Sequence, residues 1–453
     1  MKSVGWSMAS FWGQSFGDAF DEDQDDVEVA GTNSRTSREQ LIRLSSGMRE
    51  ELLQVLVCLL CHGTHLQAHS HIAICAIARI LGVEASKFAV WLDACTPMQP
   101  FCTDVNQAVE DVSEWEDSQA LEAQQTADDG SDAGRGATSD GVRKAVMATS
   151  GLVVAAGGKV VSAIENSTIA SLTGLGSSVT AARAGAGAVT KAVYDRTSTA
   201  ASFSFRPVGP PCASGRAAAL IAVSGWVAKD EEVATQWEGA LHDAASTREI
   251  CALRYDFNRL QALGASMEVV PSSMAWTLIS GAASGAKAAV QRAAGAAATD
   301  PWGVLFHRAQ RNGELLARVI LRTPSRPLTL IGYGIGARVV FCCLLKLAEF
   351  NIGEGVIDHL FLIGAPVTSD EGDWQVVRSI VAGRLVNAFH TADPALRNGW
   401  QVALKKGAAG SASLPLMGVE NVDVTGTVSR KTKSGQVDYR SCLPSLIAAL
   451  RVE

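Results

Sequence analysis

The sequence has no basic patch interleaved with aromatic residues, and Phe, Trp and Tyr together make up only 6% of it. Its formal net charge is −7, with much of the excess in two acidic stretches. Nucleic-acid recognition rests on a cationic footprint, so no nucleic-acid partner is expected. The opening MKSVGWSMASFWG lacks the continuous apolar core of a secretory signal. The ten cysteines are scattered, with Cys342 and Cys343 adjacent inside an apparent helix, which is not the pattern of a disulfide framework. A reduced, cytosol-facing and non-secreted location is the expectation.

Uninterrupted apolar runs are also missing where they would matter most. A membrane-spanning helix needs about 20 predominantly apolar residues. The Ala/Gly-rich segment 143–202 is broken by Lys159, closed by Glu165 and broken again by Arg183, and 274–298 carries Lys287 and Arg292. The favoured reading is a soluble or surface-lying helical hairpin, with insertion among internal membranes as the alternative, since small residues let helices approach closely in lipid.

What remains is ample. With 453 residues, 47% of them hydrophobic, the chain can bury a full-sized core with material left over. Five regions are expected: a disordered acidic tail (1–40), a helical region (41–102), an acidic linker (103–142), the apolar segment (143–202) and an α/β domain (203–453). In the last, apolar strands alternate with amphipathic helices, the pattern of a mostly parallel sheet covered by helices. Strands are expected at 217–224, 250–255, 328–332, 359–363, 384–390 and near Val422. Helices are expected from Asp300-Pro301 towards Leu321, at 335–350, around Trp374–Val381 and from Val437 to Leu450.

The informative segment is Leu328-Thr-Leu-Ile-Gly-Tyr-Gly-Ile-Gly-Ala-Arg338. A strand runs into Gly332-Tyr333-Gly334-Ile335-Gly336 and then into a helix. This is the setting of a nucleophile elbow, G-x-S-x-G, with Gly332 and Gly336 as the flanking glycines and Gly334 at the nucleophile position. A dinucleotide loop fits poorly, because position 337 is Ala and the acidic Asp358 opens the next strand instead of ending it. In an elbow the oxyanion site would be formed by backbone N–H groups of Gly225 or Trp226 and of Ile335, with the positive end of helix 335–350 aimed at the same point.

These residues carry a resemblance. RPLTLIGYGIGARVVFCCLLKLAE, HLFLIGAPV, GRLVNAF and ENVDVTG, with IAVSGW at 221–226 and DPWGVLFHR at 300–308, resemble the transmembrane and coiled-coil domain-containing protein 4 family. The likeness covers roughly residues 203–450. It implies an α/β-hydrolase-like fold with Ser in the elbow, an Asp after a later strand and a His near the C-terminus. Here the Ser position is Gly334, the Asp matches Asp393 in FHTAD, and the His of a pattern resembling S-G-H-x-D-Y is Gln436 in Ser434-Gly-Gln-Val-Asp-Tyr439.

Gly334 has no side chain to attack a carbonyl, and the Gln436 amide does not titrate. Loss of one triad member costs on the order of 10⁴-fold in well-studied enzymes. The implied protein is a catalytically inactive hydrolase fold acting as a membrane-associated binding or scaffold protein. It would take a lipid or a small acyl or anionic ligand and no cofactor. One alternative is a serine-independent lipid or ester hydrolase using Asp393 and water, with His390 or Ser224 as rescuing residues; both are more readily a strand histidine and a polar strand end. Another is a trafficking adaptor, since Phe16-Gly-Asp18-Ala-Phe20 has the F-x-D-x-F form bound by clathrin-adaptor appendages. Cys58-Leu-Leu-Cys61-His62 matches a haem-attachment pattern but reads as core cysteines of an amphipathic helix. His62, His65, His69 and His71 fit no standard zinc spacing and read as surface histidines, so no metal is expected.

Overall fold

The computed structural model describes residues 44–61, 66–129, 203–210, 214–269, 301–350, 356–400, 404, 407–428, 431–432 and 436–452. The tail motif Phe16, Asp18, Phe20, the segments 143–202 and 274–298, and His62, His65, Ser434 and Gly435 lie outside the described residues.

Seven strands form one sheet: β1 (Ser204–Pro207), β2 (Ala219–Val223), β3 (Glu249–Arg254), β4 (Leu328–Tyr333), β5 (Ile357–Ile363), β6 (Leu385–Phe389) and β7 (Glu420–Asp423). Their order is β1-β3-β2-β4-β5-β6-β7. Only the edge strand β1 is antiparallel; every other neighbouring pair is parallel. Every residue of β2, β4 and β6 is buried, which is why these strands read as continuous apolar runs and not as alternation. From β2 the chain moves outward to β3 and then returns to β4 on the other side. The C-terminal ends of β2 and β4 thus flank a switch point, where open parallel sheets place their ligands.

The helices are α1 (Ser46–Cys61), α2 (Ala68–Ile80), α3 (Ala85–Cys95), α4 (Phe101–Asp129), α5 (Glu232–Glu238), α6 (Phe257–Val269), α7 (Pro301–Arg322), α8 (Ile335–Glu349), α9 (Glu371–Ile380) and α10 (Leu443–Leu450). Helices α7 and α8 pack closely, and a Cβ on Gly313 would stand 2.6 Å from the Val339 carbonyl. The final helix starts six residues later than its apolar pattern suggests, because Arg440–Cys442 form a 3₁₀ turn ahead of it. Strand β1 and helices α5 and α6 were not foreseen. Four and seven residues are too short for periodicity to register in β1 and α5, and α6 follows a turn at Asp256, whose φ of +39° favours no helix signal.

The described residues fall into two units, one holding residues up to Ala108 and from Phe203 onward, the other starting at Val109. The helical region before Ala108 is therefore joined to the sheet. Residues 101–129 are one helix where composition suggested a solvated linker. Its start is fixed by tertiary contacts that composition cannot express. Glu249, the first residue of β3, accepts from the Phe101 and Cys102 N–H groups at 2.8 and 3.2 Å, satisfying orphan donors of the helix. Asn106 exchanges two hydrogen bonds with Phe205 (2.8 and 3.0 Å), closing part of the open edge of β1. Asp104 pairs with the buried Arg326. Leu53, Val57, Ile74, Phe88 and Leu92 form a small core between α1, α2 and α3, which also takes in Ala217 before β2.

The most telling contact is His71–Asp358. Nδ1 of His71 lies 2.7 Å from the carboxylate of Asp358, which is fully buried near the start of β5. His71 is itself only 4% exposed, so its assignment to a surface cluster is corrected: the helix face that carries it rests on the sheet. Burial works to lower the His71 pKa, but Asp358 and Cys75 override it and push it up to about 10. Cys58 is a second correction. It is exposed on α1, facing the Cys95 sulfur at 3.7 Å, because α1 buries only the Leu53/Val57 side and leaves Met48, Val55 and Leu59 exposed. Among the described residues no cluster could hold a metal ion, and no helix is long and apolar enough to cross a membrane.

Candidate functional site

The loops after β2, β4, β5 and β6 meet at the C-terminal edge of the sheet. Strand β4 ends at Tyr333 and α8 begins at Ile335, so Gly334 alone makes the turn, at φ +54° and ψ −128°. Such a backbone is strained for any residue with a side chain. The flanking glycines answer to contact and not to torsion. A Cβ on Gly336 would stand 2.2 Å from the Val223 carbonyl, and one on Gly332 would stand 2.8 Å from the Ala337 nitrogen. Helix α8 can therefore lie against β2 and β4 only without those atoms. The space above Gly334 is open, since a Cβ there would meet nothing nearer than the Gly225 Cα at 3.8 Å.

That space belongs to a cavity of about 50 Å³, bounded in part by Gly225, Trp226, Gly334, Ile335, Asp393 and Gln436. The residues singled out from the sequence for the nucleophile, oxyanion, acid and base positions therefore border one cavity. The remaining walls are mostly apolar, with Leu263, Pro366, Leu396 and Val437 among them.

Asp393 is buried and fully engaged. One carboxylate oxygen accepts the Ala395 and Leu396 N–H groups at 2.9 and 3.3 Å, and the other accepts the Tyr439 hydroxyl at 2.7 Å. Burial pushes its pKa above the ordinary carboxylate value, against the pull of those donors. The Tyr439 hydroxyl is pushed well up, first by burial and then by the Asp393 charge. Tyr439 is the residue that sequence reasoning missed. It stood in the quoted Gln436-Val-Asp-Tyr439 run, but nothing in spacing alone said that a phenol would occupy the acid. It fits because Gly364 has no side chain, and a Cβ there would stand 2.5 Å from the Tyr439 oxygen.

Gln436 is 1% exposed, and neither its amide oxygen nor its amide nitrogen has a hydrogen-bond partner. A buried amide left so costs about 1–3 kcal/mol per unsatisfied group. Such a cost in a cavity wall marks a place where water or a ligand completes the bonding.

The two rescue candidates stand elsewhere. Ser224 accepts from Gln236 Nε2 (2.7 Å) and Trp237 Nε1 (3.0 Å), while its carbonyl takes the Tyr255 hydroxyl. Tyr333, in the elbow, donates to the Trp226 carbonyl at 2.8 Å and contacts Gln236 at 2.9 Å, so the serine is part of the brace behind the Gly225–Trp226 loop. His390 accepts the Ala392 N–H on Nδ1 (3.2 Å) and points Nε2 at the Val428 carbonyl (3.4 Å). Both ring nitrogens face backbone, and neither His390 nor Ser224 borders the cavity.

The family described as "Protein of unknown function (DUF726)" matches residues 133–453. The chain belongs to this family. A "Transmembrane and coiled-coil domain-containing protein STS1" of Oryza sativa subsp. japonica is 32% identical over 279 residues, 59% of this chain and 42% of the relative. An "Uncharacterized membrane protein" of Caenorhabditis elegans is 35% identical over 193 residues, 39% of this chain and 31% of the relative. A "Probable lipase MIL1" of Saccharomyces cerevisiae is 27% identical over 310 residues, 62% of this chain and 27% of the relative. The chain thus spans less than half the length of these curated relatives. No solved structure matches. Several DUF726 relatives are named as membrane proteins and one as a lipase, which agrees with the α/β-hydrolase-like architecture.

Proposed function

We propose that this DUF726 protein, of the transmembrane and coiled-coil domain-containing protein 4 type, is a hydrolase fold without acyl-transfer chemistry. It acts at a membrane as a binding or scaffold protein. The observation that carries this reading is the cavity itself. Its nucleophile position is a glycine, its base position a non-titrating amide, and its remaining acid is held by Tyr439. Acyl transfer needs a nucleophile whose proton is taken and returned, and no group bordering this cavity does both.

Hydrolysis by Asp393 and water is the weaker reading. Its carboxylate already accepts three hydrogen bonds, so drawing a proton from water would first require displacing the tyrosine. Membrane association is supported by the names of the relatives and by the apolar residues that α1 exposes.

A fluorophosphonate probe tests the chemistry directly. Purified protein should remain unlabelled under conditions that saturate a serine hydrolase. Labelling of a serine in this chain, abolished by prior denaturation, would overturn the proposal.

A further inference from the structure

The cavity wall combines three features whose joint meaning is chemical. Gln436 presents a carbonyl acceptor and an N–H₂ donor, both buried and both without partners. Gly334 leaves open the volume a side chain would fill. The residues bordering the cavity include no Lys, Arg or His, and their one carboxylate is Asp393. An anionic head group entering here would find no cationic side chain and would sit beside a carboxylate. A cation would find Asp393 already hydrogen-bonded on both oxygens. A neutral group meets neither penalty.

At about 50 Å³ the cavity exceeds the roughly 10–15 Å³ that one water requires, so waters can partner the amide in the free protein. A ligand that displaces them gains affinity only if it restores both hydrogen bonds. A hydroxyl or an ether does this incompletely, whereas a carboxamide presents a donor and an acceptor side by side, in the same spacing as the glutamine amide. The apolar walls at Leu263, Pro366 and Leu396 suit a hydrocarbon stem attached to such a head.

We infer that this cavity is a site for an uncharged acyl amide on an apolar stem, read by the Gln436 amide, and that it discriminates against the free carboxylate of the same chain length. The inference rests on the reading of the cavity as a binding site and adds its ligand class and its selectivity residue. Gln436 is then not a remnant of a lost base but the group that reads the ligand. The substitution of an imidazole by an amide exchanged proton transfer for recognition of a neutral partner.

The test compares octanamide with octanoate at pH 8, where they share a stem and differ in charge. Binding to the purified full chain is followed by calorimetry and by the shift of the thermal midpoint. Octanamide should bind and octanoate should bind at least tenfold more weakly. Gln436→Met, which keeps the length and removes both polar atoms, should weaken octanamide roughly tenfold, the loss expected for two neutral hydrogen bonds. The same substitution should leave the unliganded protein no less stable, because it removes a buried amide that has no protein partner. Equal binding of octanoate, unchanged octanamide binding in Gln436→Met, or no octanamide binding at millimolar concentration would each overturn the inference. Release of ammonia from octanamide would instead overturn the proposed lack of chemistry, so the two ideas fail by different readouts.

Discussion

Removing one member of the His71–Asp358 pair should loosen the helical region from the sheet. Asp358 is fully buried, its other charged neighbour Arg248 is 3.8 Å away, and one of its oxygens has no partner. Losing His71 would therefore leave a buried carboxylate poorly compensated, which in other proteins costs about 3–5 kcal/mol. The pKa of His71 rises from 6.5 to about 10. At roughly 1.4 kcal/mol per unit, that caps the contribution of its protonation at about 5 kcal/mol, the same order. The pH window follows from the direction of each shift. The raised His71 pKa gives stability that is complete below pH 6.5 and is lost as pH climbs towards about 10. Burial raises the Asp358 pKa and His71 outweighs it, holding the carboxyl below its usual range; this contribution is present above pH 3.8 and is lost as pH falls through the lowered value. Urea titrations of wild type should show stability falling between pH 6.5 and 10 by up to about 1.4 kcal/mol per pH unit. His71→Leu should lower stability by about 3 kcal/mol at pH 6 and flatten that slope. Adding Asp358→Leu should recover much of the loss, because the cost lies in the unpaired charge and not in packing. A single variant within 1 kcal/mol of wild type at pH 6, or an unchanged slope, would refute the account.

Four further outcomes are expected. Gly334→Ser should fold, because the space above the glycine is open, and lose about 1–3 kcal/mol to its positive φ; it should still resist a fluorophosphonate probe, since no base borders it. Gly336→Ala should be far more damaging, because its Cβ would meet the Val223 carbonyl at 2.2 Å; circular dichroism and urea titration should show a loss of at least 3 kcal/mol or no folded protein. Glu249→Ala should cost about 1–2 kcal/mol by uncapping α4, seen as faster amide exchange at Phe101 and Cys102. Leu59→Glu on the exposed face of α1 should reduce co-flotation with liposomes without lowering stability, and unchanged flotation would remove α1 from the membrane argument.

Much of the α/β domain was legible because its signals are local. Buried parallel strands are short apolar runs, and the glycines of 332–336 announce a sharp strand-to-helix turn that no other residues would allow. Gly334 and Gln436 were readable for the same reason, since the absence of a nucleophile or of a base is a property of a single position. The tail motif and the Ala/Gly-rich segments were visible in the sequence but lie outside the described residues.

Other features were decided only when distant segments met. Asp104, Asn106 and His71 look like ordinary polar helix residues until Arg326, Phe205 and Asp358 arrive from more than 90 positions away. Tyr439 became the partner of Asp393 because Gly364, on a third loop, left room for its ring. The sequence by itself determined which atoms are available to this protein: no hydroxyl in the elbow, no imidazole at the base position, and strands too apolar to lie anywhere but inside. The tertiary structure alone decided which of the polar atoms are satisfied. Hydrogen-bond saturation of Asp393 and its absence at Gln436 depend on Å-scale approach between residues remote in the chain, and no local pattern encodes that distance.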